Sequence, residues 1–147
     1  MEIKTFELTI EDVDRIEFCL TGLRHLVPQL YPERDRLSYD ELFDLIESDK
    51  VSMVFAIYHD EIVGVLTMVT LNILSGTRSW IEDVIVDDPV RGMGIGQALY
   101  EAALELADEK GSRTVNLISN PSRESSNRLY QRLGFDLMDH NLYRFNL

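Results

Sequence analysis

The chain has 147 residues, 45% of them apolar and 27% charged, which is most simply one globular domain long enough to bury a core. A net charge of −12 excludes the usual nucleic-acid binder, whose affinity rests on basic patches. Met1 to Ile10 has neither the basic region nor the apolar segment of a signal peptide, and no apolar run reaches membrane-spanning length, so a cytoplasmic protein without membrane contact is expected.

Glu2 to Leu8 alternates loosely enough to be a first strand. Thr9 can cap a helix with Glu11 and Asp12 in its first turn, and Val13, Ile16, Leu20, Leu23 and Val27 carry the helical period up to Pro28. Cys19 lies among those apolar positions and reads as a buried, inert thiol. With three scattered His and one Cys, no metal site is suggested. After a loop carrying Tyr31 and Pro32, Ser38-Tyr39-Asp40-Glu41 has the wording of a capping box for a second helix through about Glu47. Val51 to Tyr58 and Ile62 to Asn72 flank His59-Asp60-Glu61 as a β-hairpin. A turn at Gly76 leads into Arg78 to Val86, so three antiparallel strands meander in sequence.

The next stretch organises the chain. Trp80 to Val86 is strand-like, Asp87-Asp88-Pro89 breaks it, and a helix begins near Gly94 with Ile95, Ala98, Leu99, Ala102, Ala103 and Leu106 on one face. Between them lies Arg91-Gly92-Met93-Gly94-Ile95-Gly96. Glycines admit a ligand close to the backbone, and a helix N-terminus offers unpaired N–H groups and partial positive charge. This is an anion site suited to a diphosphate. A P-loop would need Lys-Ser or Lys-Thr after Gly96, and the dinucleotide fingerprint would need a different spacing for its last glycine.

Beyond the helix, Lys110-Gly111 is a stop signal. Thr114 to Ile118 is a short buried strand, parallel to Trp80–Val86 because a helix connects them. Ser122 to Leu133 is a fourth helix ended by Gly134, and Phe135 to Met138 with Leu142 to Phe145 make a last hairpin. The acid is unevenly spread: Met1 to Thr77 has 6 Lys/Arg against 15 Asp/Glu, a net of −9, and Arg78 to Leu147 has 8 against 11, a net of −3. An acidic surround would attract a cationic acceptor such as an amine, or it simply keeps the chain soluble.

Arg91, Gly94 and Gly96 meet the pattern [Q/R]-x-x-G-x-[G/A], directly after V-I-V-D. The sequence here closely resembles the acetyl-CoA-binding motif of the GNAT (GCN5-related N-acetyltransferase) superfamily. The predicted order, β-α-α-β-β-β-α-β-α-β-β, is also that of the superfamily. The resemblance therefore implies an α/β (α+β) fold with about four helices on a mixed sheet of about seven strands. It is specific from Ser79 to Phe135 and rests on element order before that.

Asn127 to Phe135, ending Y-x-x-x-G-F, resembles the family's second signature. The resemblance makes Tyr130 the acid that protonates the leaving thiolate of coenzyme A; otherwise Tyr130 packs its ring and bonds a carbonyl. Relatives often carry Asn seven residues before this tyrosine and Ala four before, where this chain has Arg123 and Ser126. Other branches of the superfamily carry Arg at the first position, so the resemblance makes Arg123 a candidate for a cofactor phosphate, and Asn120 or Asn127 a candidate for the amide contact to pantetheine. The wording I-E-D-V-x-V at Ile81 to Val86 is similar to the glucosamine-6-phosphate N-acetyltransferase branch, whose acidic pair lies beside the acceptor amine. Simple alternation puts Trp80, Glu82, Val84 and Val86 on one face and Ile81, Asp83 and Ile85 on the other. Glu82 is the general-base candidate, against a salt-bridged structural acid, and Asp83 is structural. Backbone groups of Val84, Ile85 and Val86 would pair with pantetheine and polarise the thioester, and Arg91, Gly92, Met93, Gly94, Ile95, Gly96 and Gln97 would hold the diphosphate. By the same resemblance, which puts the acceptor pocket at the N-terminal helix–loop–helix, Tyr31 and Tyr39 are candidate acceptor contacts, against simple loop packing for each, and Trp80 and Glu82 join Tyr31 as acceptor contacts.

The function so implied is transfer of acetyl from acetyl-CoA, without a metal, to a primary amine of a small molecule or protein. A polyamine, an aminoglycoside, a protein amine or an amino-sugar phosphate fits that description. The alternatives are a CoA-binding regulatory module that lost turnover and a phosphate-binding α/β protein of another kind. Dimers are common in the superfamily, so the resemblance admits a homodimer formed through the C-terminal strand.

Overall fold

The computed structural model describes residues 2–147. Its elements run β1 (Lys4–Leu8), α1 (Val13–Leu30), α2 (Tyr39–Glu47), β2 (Val51–Tyr58), β3 (Glu61–Ile73), β4 (Gly76–Val86), a 3-10 turn (Asp88–Val90), α3 (Ile95–Glu109), β5 (Val115–Leu117) and α4 (Glu124–Leu133). The sheet order is β1-β2-β3-β4-β5; the first four strands are antiparallel and β5 is parallel to β4. His59 and Asp60 join β2 to β3 as a two-residue loop, both at positive φ (52° and 61°), the twist that tight hairpins favour.

Each sheet face carries its own core. Against α1 and α2 lie Leu8, Met53, Phe55, Val65 and Ile85, packed on Ile16, Leu20, Leu23 and Leu42. Against α3 and α4 lie Val54, Leu66, Met68 and Ile81, packed on Ile95, Leu99, Ala103 and Tyr130. Helices approach the sheet closely at two glycines. A Cβ on Gly22 of α1 would sit 2.5 Å from Ile62 Cβ, and one on Gly64 of β3 would sit 3.0 Å from both Ile95 Cγ2 and Leu99 Cδ1.

β4 carries an extra residue. Leu66 pairs with Val84 and Met68 with Ile81, so Thr67 alone faces Glu82 and Asp83. Such a bulge inverts the alternation beyond it. Ile81 and, past the bulge, Val84 and Val86 therefore all turn to the α3 core, while Ile85 turns to the α1 core. This corrects the simple alternation: Ile81 shares a face with Val84 and Val86, and not with Ile85.

Other expectations shift at their edges. The cap of α1 is Asp12, without a side-chain cap bond, and Thr9 instead donates to Asp12 Oδ2 at 3.3 Å. α1 also continues through Pro28 to Leu30, since proline's φ suits a helix and a position near the end forfeits only the bond to the Arg24 carbonyl. The Tyr31 N–H closes that turn on the Val27 carbonyl at 2.8 Å. The capping box of α2 is formed as read, with Glu41 N–H donating to Ser38 Oγ at 3.1 Å and Ser38 N–H to Glu41 Oε1 at 3.2 Å. Arg34 and that N–H together hold the Glu41 carboxyl below its usual range.

The C-terminal hairpin is not formed. Residues 135–147 contain no strand, and among the described residues there are five strands rather than about seven. A hairpin alone is marginal in water and needs a sheet edge to dock on; β5, the edge available, is three residues long and half-buried, with Ile118 exposed beyond it.

Candidate functional site

β4 and β5 stay together only for Ser79, Trp80 and Ile81, opposite Val115, Asn116 and Leu117. The pairing stops where the bulge begins. From Glu82 to Val86 the β5-side edge of β4 faces no strand, so its outward N–H and C=O groups form a ladder open to an extended ligand. The side chains of Val84, Ile85 and Val86 point into the two cores, which leaves their backbone as the contacting surface.

The open ladder ends at the glycine turn. Gly94 caps α3 in the left-handed region (φ 88°) with no side chain over the helix end. The first N–H groups of the helix, at Ile95, Gly96 and Gln97, belong to the turn that helix geometry leaves unpaired. A Cβ at Gly92 or Gly94 would meet nothing within 4 Å, so space above the turn is open. Arg91 reaches back, Nε donating to the Val86 carbonyl at 3.3 Å and its guanidinium pairing with Asp88 at 2.9 Å. Met93 is half-buried, and the Ile95 side chain is buried in the core. Gln97 donates down the helix to Glu101 at 2.9 Å, away from the N-terminus. A diphosphate fits this chemistry: bare N–H groups, a helix dipole and one adjacent guanidinium.

On the far side of the gap, the turn before α4 is stitched by its own amides. Asn127 Nδ2 donates to the Asn120 and Arg123 carbonyls at 3.1 and 2.7 Å, and Asn120 Oδ1 accepts from Ser122 N–H and Oγ, both at 2.9 Å. Arg123, at the exposed cap of α4, carries its charge close enough to act on Tyr100. Tyr130 is buried, its ring edge-on to Tyr100 (5.3 Å between centroids) and Phe135 (6.0 Å), and the Tyr100 and Tyr130 hydroxyls are 3.0 Å apart. Burial, then the bond to Tyr130, pushes the Tyr100 phenol up, so it stays neutral. Sequence reading missed Tyr100. Its signal was the stripe Ile95, Leu99, Tyr100, Ala103, Ala107, the buried face of α3, displaced from the expected one by a turn's fraction.

The acidic pair splits at the bulge. Glu82 is exposed, whereas Asp83 accepts a 2.7 Å hydrogen bond from Tyr31 Oη. That bond, then burial and the charges of Asp83 and Glu82, push the Tyr31 phenol up to about 12. Tyr31, Pro32, Glu33, Arg34 and Asp83 line an open cavity of about 620 Å³. The structure thus brings Tyr31 to the acidic pair. Tyr130 sits instead in the α3–α4 core, and half-buried Trp80 precedes the bulge.

Residues 20–135 match the model of the Acetyltransferase (GNAT) family, and the chain belongs to that family. It is 39% identical over 56 residues to an uncharacterized N-acetyltransferase of Methanocaldococcus jannaschii, a match covering 38% of this chain and 25% of that protein. The chain thus spans about a quarter of the length of that curated relative. Among solved structures, a transcriptional regulator from Bacillus halodurans C-125 is 26% identical, with 99% of this chain and 100% of that one covered at a TM-score of 0.77. AAC(6')-Iy in complex with the bisubstrate analog CoA-S-monomethyl-acetylneamine is 16% identical at a TM-score of 0.81, covering 100% and 99% of the two chains, and shows the shared fold.

Proposed function

We propose that residues 1–147 form one N-acetyltransferase domain, which moves an acetyl group from acetyl-CoA to a primary amine. The observation that carries this reading is the coincidence of three features at one place: the bulge, the end of the β4–β5 pairing and the uncapped N-terminus of α3. In this reading the open edge of Glu82–Val86 pairs with the amides of pantetheine, and Arg91 to Gln97 bind the diphosphate. Arg123 supplies a further phosphate contact. The donor of Asn127 and the acceptor of Asn120 are engaged locally, so either residue would use its other amide atom toward pantetheine.

The amine nitrogen attacks the thioester carbonyl, the N–C bond forms and the C–S bond breaks. Glu82, the unclaimed member of the acidic pair, takes the ammonium proton, directly or through water; Tyr130 gives its proton to the leaving thiolate, and the second nitrogen proton, shed to solvent as the amide forms, balances the one that Tyr130 regains. Tyr31 and Trp80 border the acceptor. The acceptor is a cationic amine, favoured by the net −9 of Met1 to Thr77; several neighbours of the same fold are named aminoglycoside acetyltransferases. A cytoplasmic setting is part of the same reading; among the described residues no helix is long and apolar enough to cross a membrane. A homodimer belongs to this reading too, since Tyr143 and Phe145, each 87% exposed, and neighbouring apolar residues await a partner surface. The second reading, a cofactor-binding module without turnover, is favoured by the regulator-named neighbour.

The test is thiol release from acetyl-CoA across polyamines, aminoglycosides, glucosamine-6-phosphate and lysine peptides. Tyr130→Phe should lower kcat roughly 100-fold while coenzyme A still binds. Tyr100→Phe, which removes the same hydroxyl pair from its other end, should leave kcat near wild type. No thiol release from any acceptor by a chain that binds acetyl-CoA would favour the module instead.

A further inference from the structure

The last two turns of α1 lie along β4 beyond its bulge and grip it at both ends. At one end is the Tyr31–Asp83 bond. At the other, the amide of Gln29 uses both its halves: Nε2 donates to Asp87 Oδ1 at 2.8 Å, and Oε1 accepts from the Asp88 N–H at 3.1 Å. His25 Nε2, one turn earlier, lies 3.0 Å from the same Asp87 oxygen. The Asp87 side chain is only 16% exposed, so it needs such partners, and its own N–H is bonded to the Val63 carbonyl at 2.9 Å. The corner where β4 becomes turn is therefore held by β3 on one side and by α1 on the other. Asp88 in turn pairs with Arg91.

We propose that Gln29 is a positioning residue for the diphosphate end of the site. By fixing Asp87 and Asp88 it sets the course of the turn from Arg91 to Gln97 before an anion arrives. This rests on the reading of that turn as the diphosphate site. The physical need is plain: Gly92 and Gly94, at φ 80° and 88°, give a segment of wide conformational range, and ordering it on binding would subtract from affinity. An amide that bonds a side chain and a main-chain N–H at once removes that freedom beforehand. None of the glycines can do this for themselves.

Gln29→Met keeps the length and helix preference of the side chain and removes both bonds. Coenzyme A binding, followed by calorimetry, should weaken about tenfold, the order expected for two lost hydrogen bonds and a looser turn. Acetyl transfer from acetyl-pantetheine, which has no diphosphate, should be unchanged. Gln29→Ala provides a second truncation with the same readouts. Unaltered coenzyme A affinity in both Gln29 variants overturns the proposal, as does an equal loss with both donors, which would mark general damage to the fold. A wild-type chain that binds no coenzyme A overturns the diphosphate reading itself, and the wild-type titration alone tells that case apart.

Discussion

The two halves of β4 are built to opposite ends. Before the bulge, Ser79 to Ile81 has a strand on each side, and a chain of hydroxyls runs through the paired half: Thr70 to Ser79 at 2.8 Å and Ser79 to Ser112 at 2.6 Å, with Ser79 fully buried. After the bulge, Glu82 to Val86 has a strand on one side only and is steadied by single side chains from α1. The first half is held by many short-range contacts that no ligand could enter. The second leaves backbone unpaired and relies on a few long-range bonds. Doubly paired and singly paired backbone are thus separated within one eleven-residue strand.

The comparison breaks most visibly in the paired half. Ile81→Ala empties a core position between β4 and α3 and should lower unfolding free energy by about 3 kcal/mol in urea denaturation. Ser79→Ala leaves the Thr70 and Ser112 hydroxyls without their shared partner and should remove about 1–2 kcal/mol. In the open half, Tyr31→Phe should have the smallest effect on stability at neutral pH and a distinct signature in alkali. The phenol's folded pKa, about 12, stands above its ordinary 10.0, so its contribution is complete below pH 10 and fades as pH climbs to 12. Thermal melts between pH 9 and 12 should therefore show wild type converging on Tyr31→Phe. A constant gap between them would mean that the Tyr31–Asp83 bond is not what Tyr31 contributes.

Much of this was legible in the residues. The capping box at Ser38, the buried thiol of Cys19 (its pKa pushed up to about 12 by burial), the meander and the glycine turn all follow from local chemistry within a few residues of one another. The bulge was not, because an apolar run with two acids in it fits plain alternation as well as a two-against-one register; only the partner strand distinguishes them. Gln29 was invisible for a related reason. Its partners lie 58 and 59 residues away, and a glutamine near the end of a helix is otherwise unremarkable. Tyr100 was hidden by a small error in helical phase, enough to place a core hydroxyl on the wrong side of α3. The missing hairpin shows the opposite failure, since Leu142 to Phe145 carries a fair strand pattern whose realisation depends on an edge the pattern does not describe.

That exposed C-terminal segment sets the colloidal behaviour of the chain. Six large apolar side chains from Leu137 to Leu147 stand in water on a molecule of net charge −12. Mutual repulsion keeps such molecules apart at low ionic strength, where the screening length is about 30 Å at 0.01 M, and it collapses to about 3 Å at 1 M. Salt therefore removes the repulsion while strengthening apolar attraction, and self-association of this protein should rise with ionic strength rather than fall.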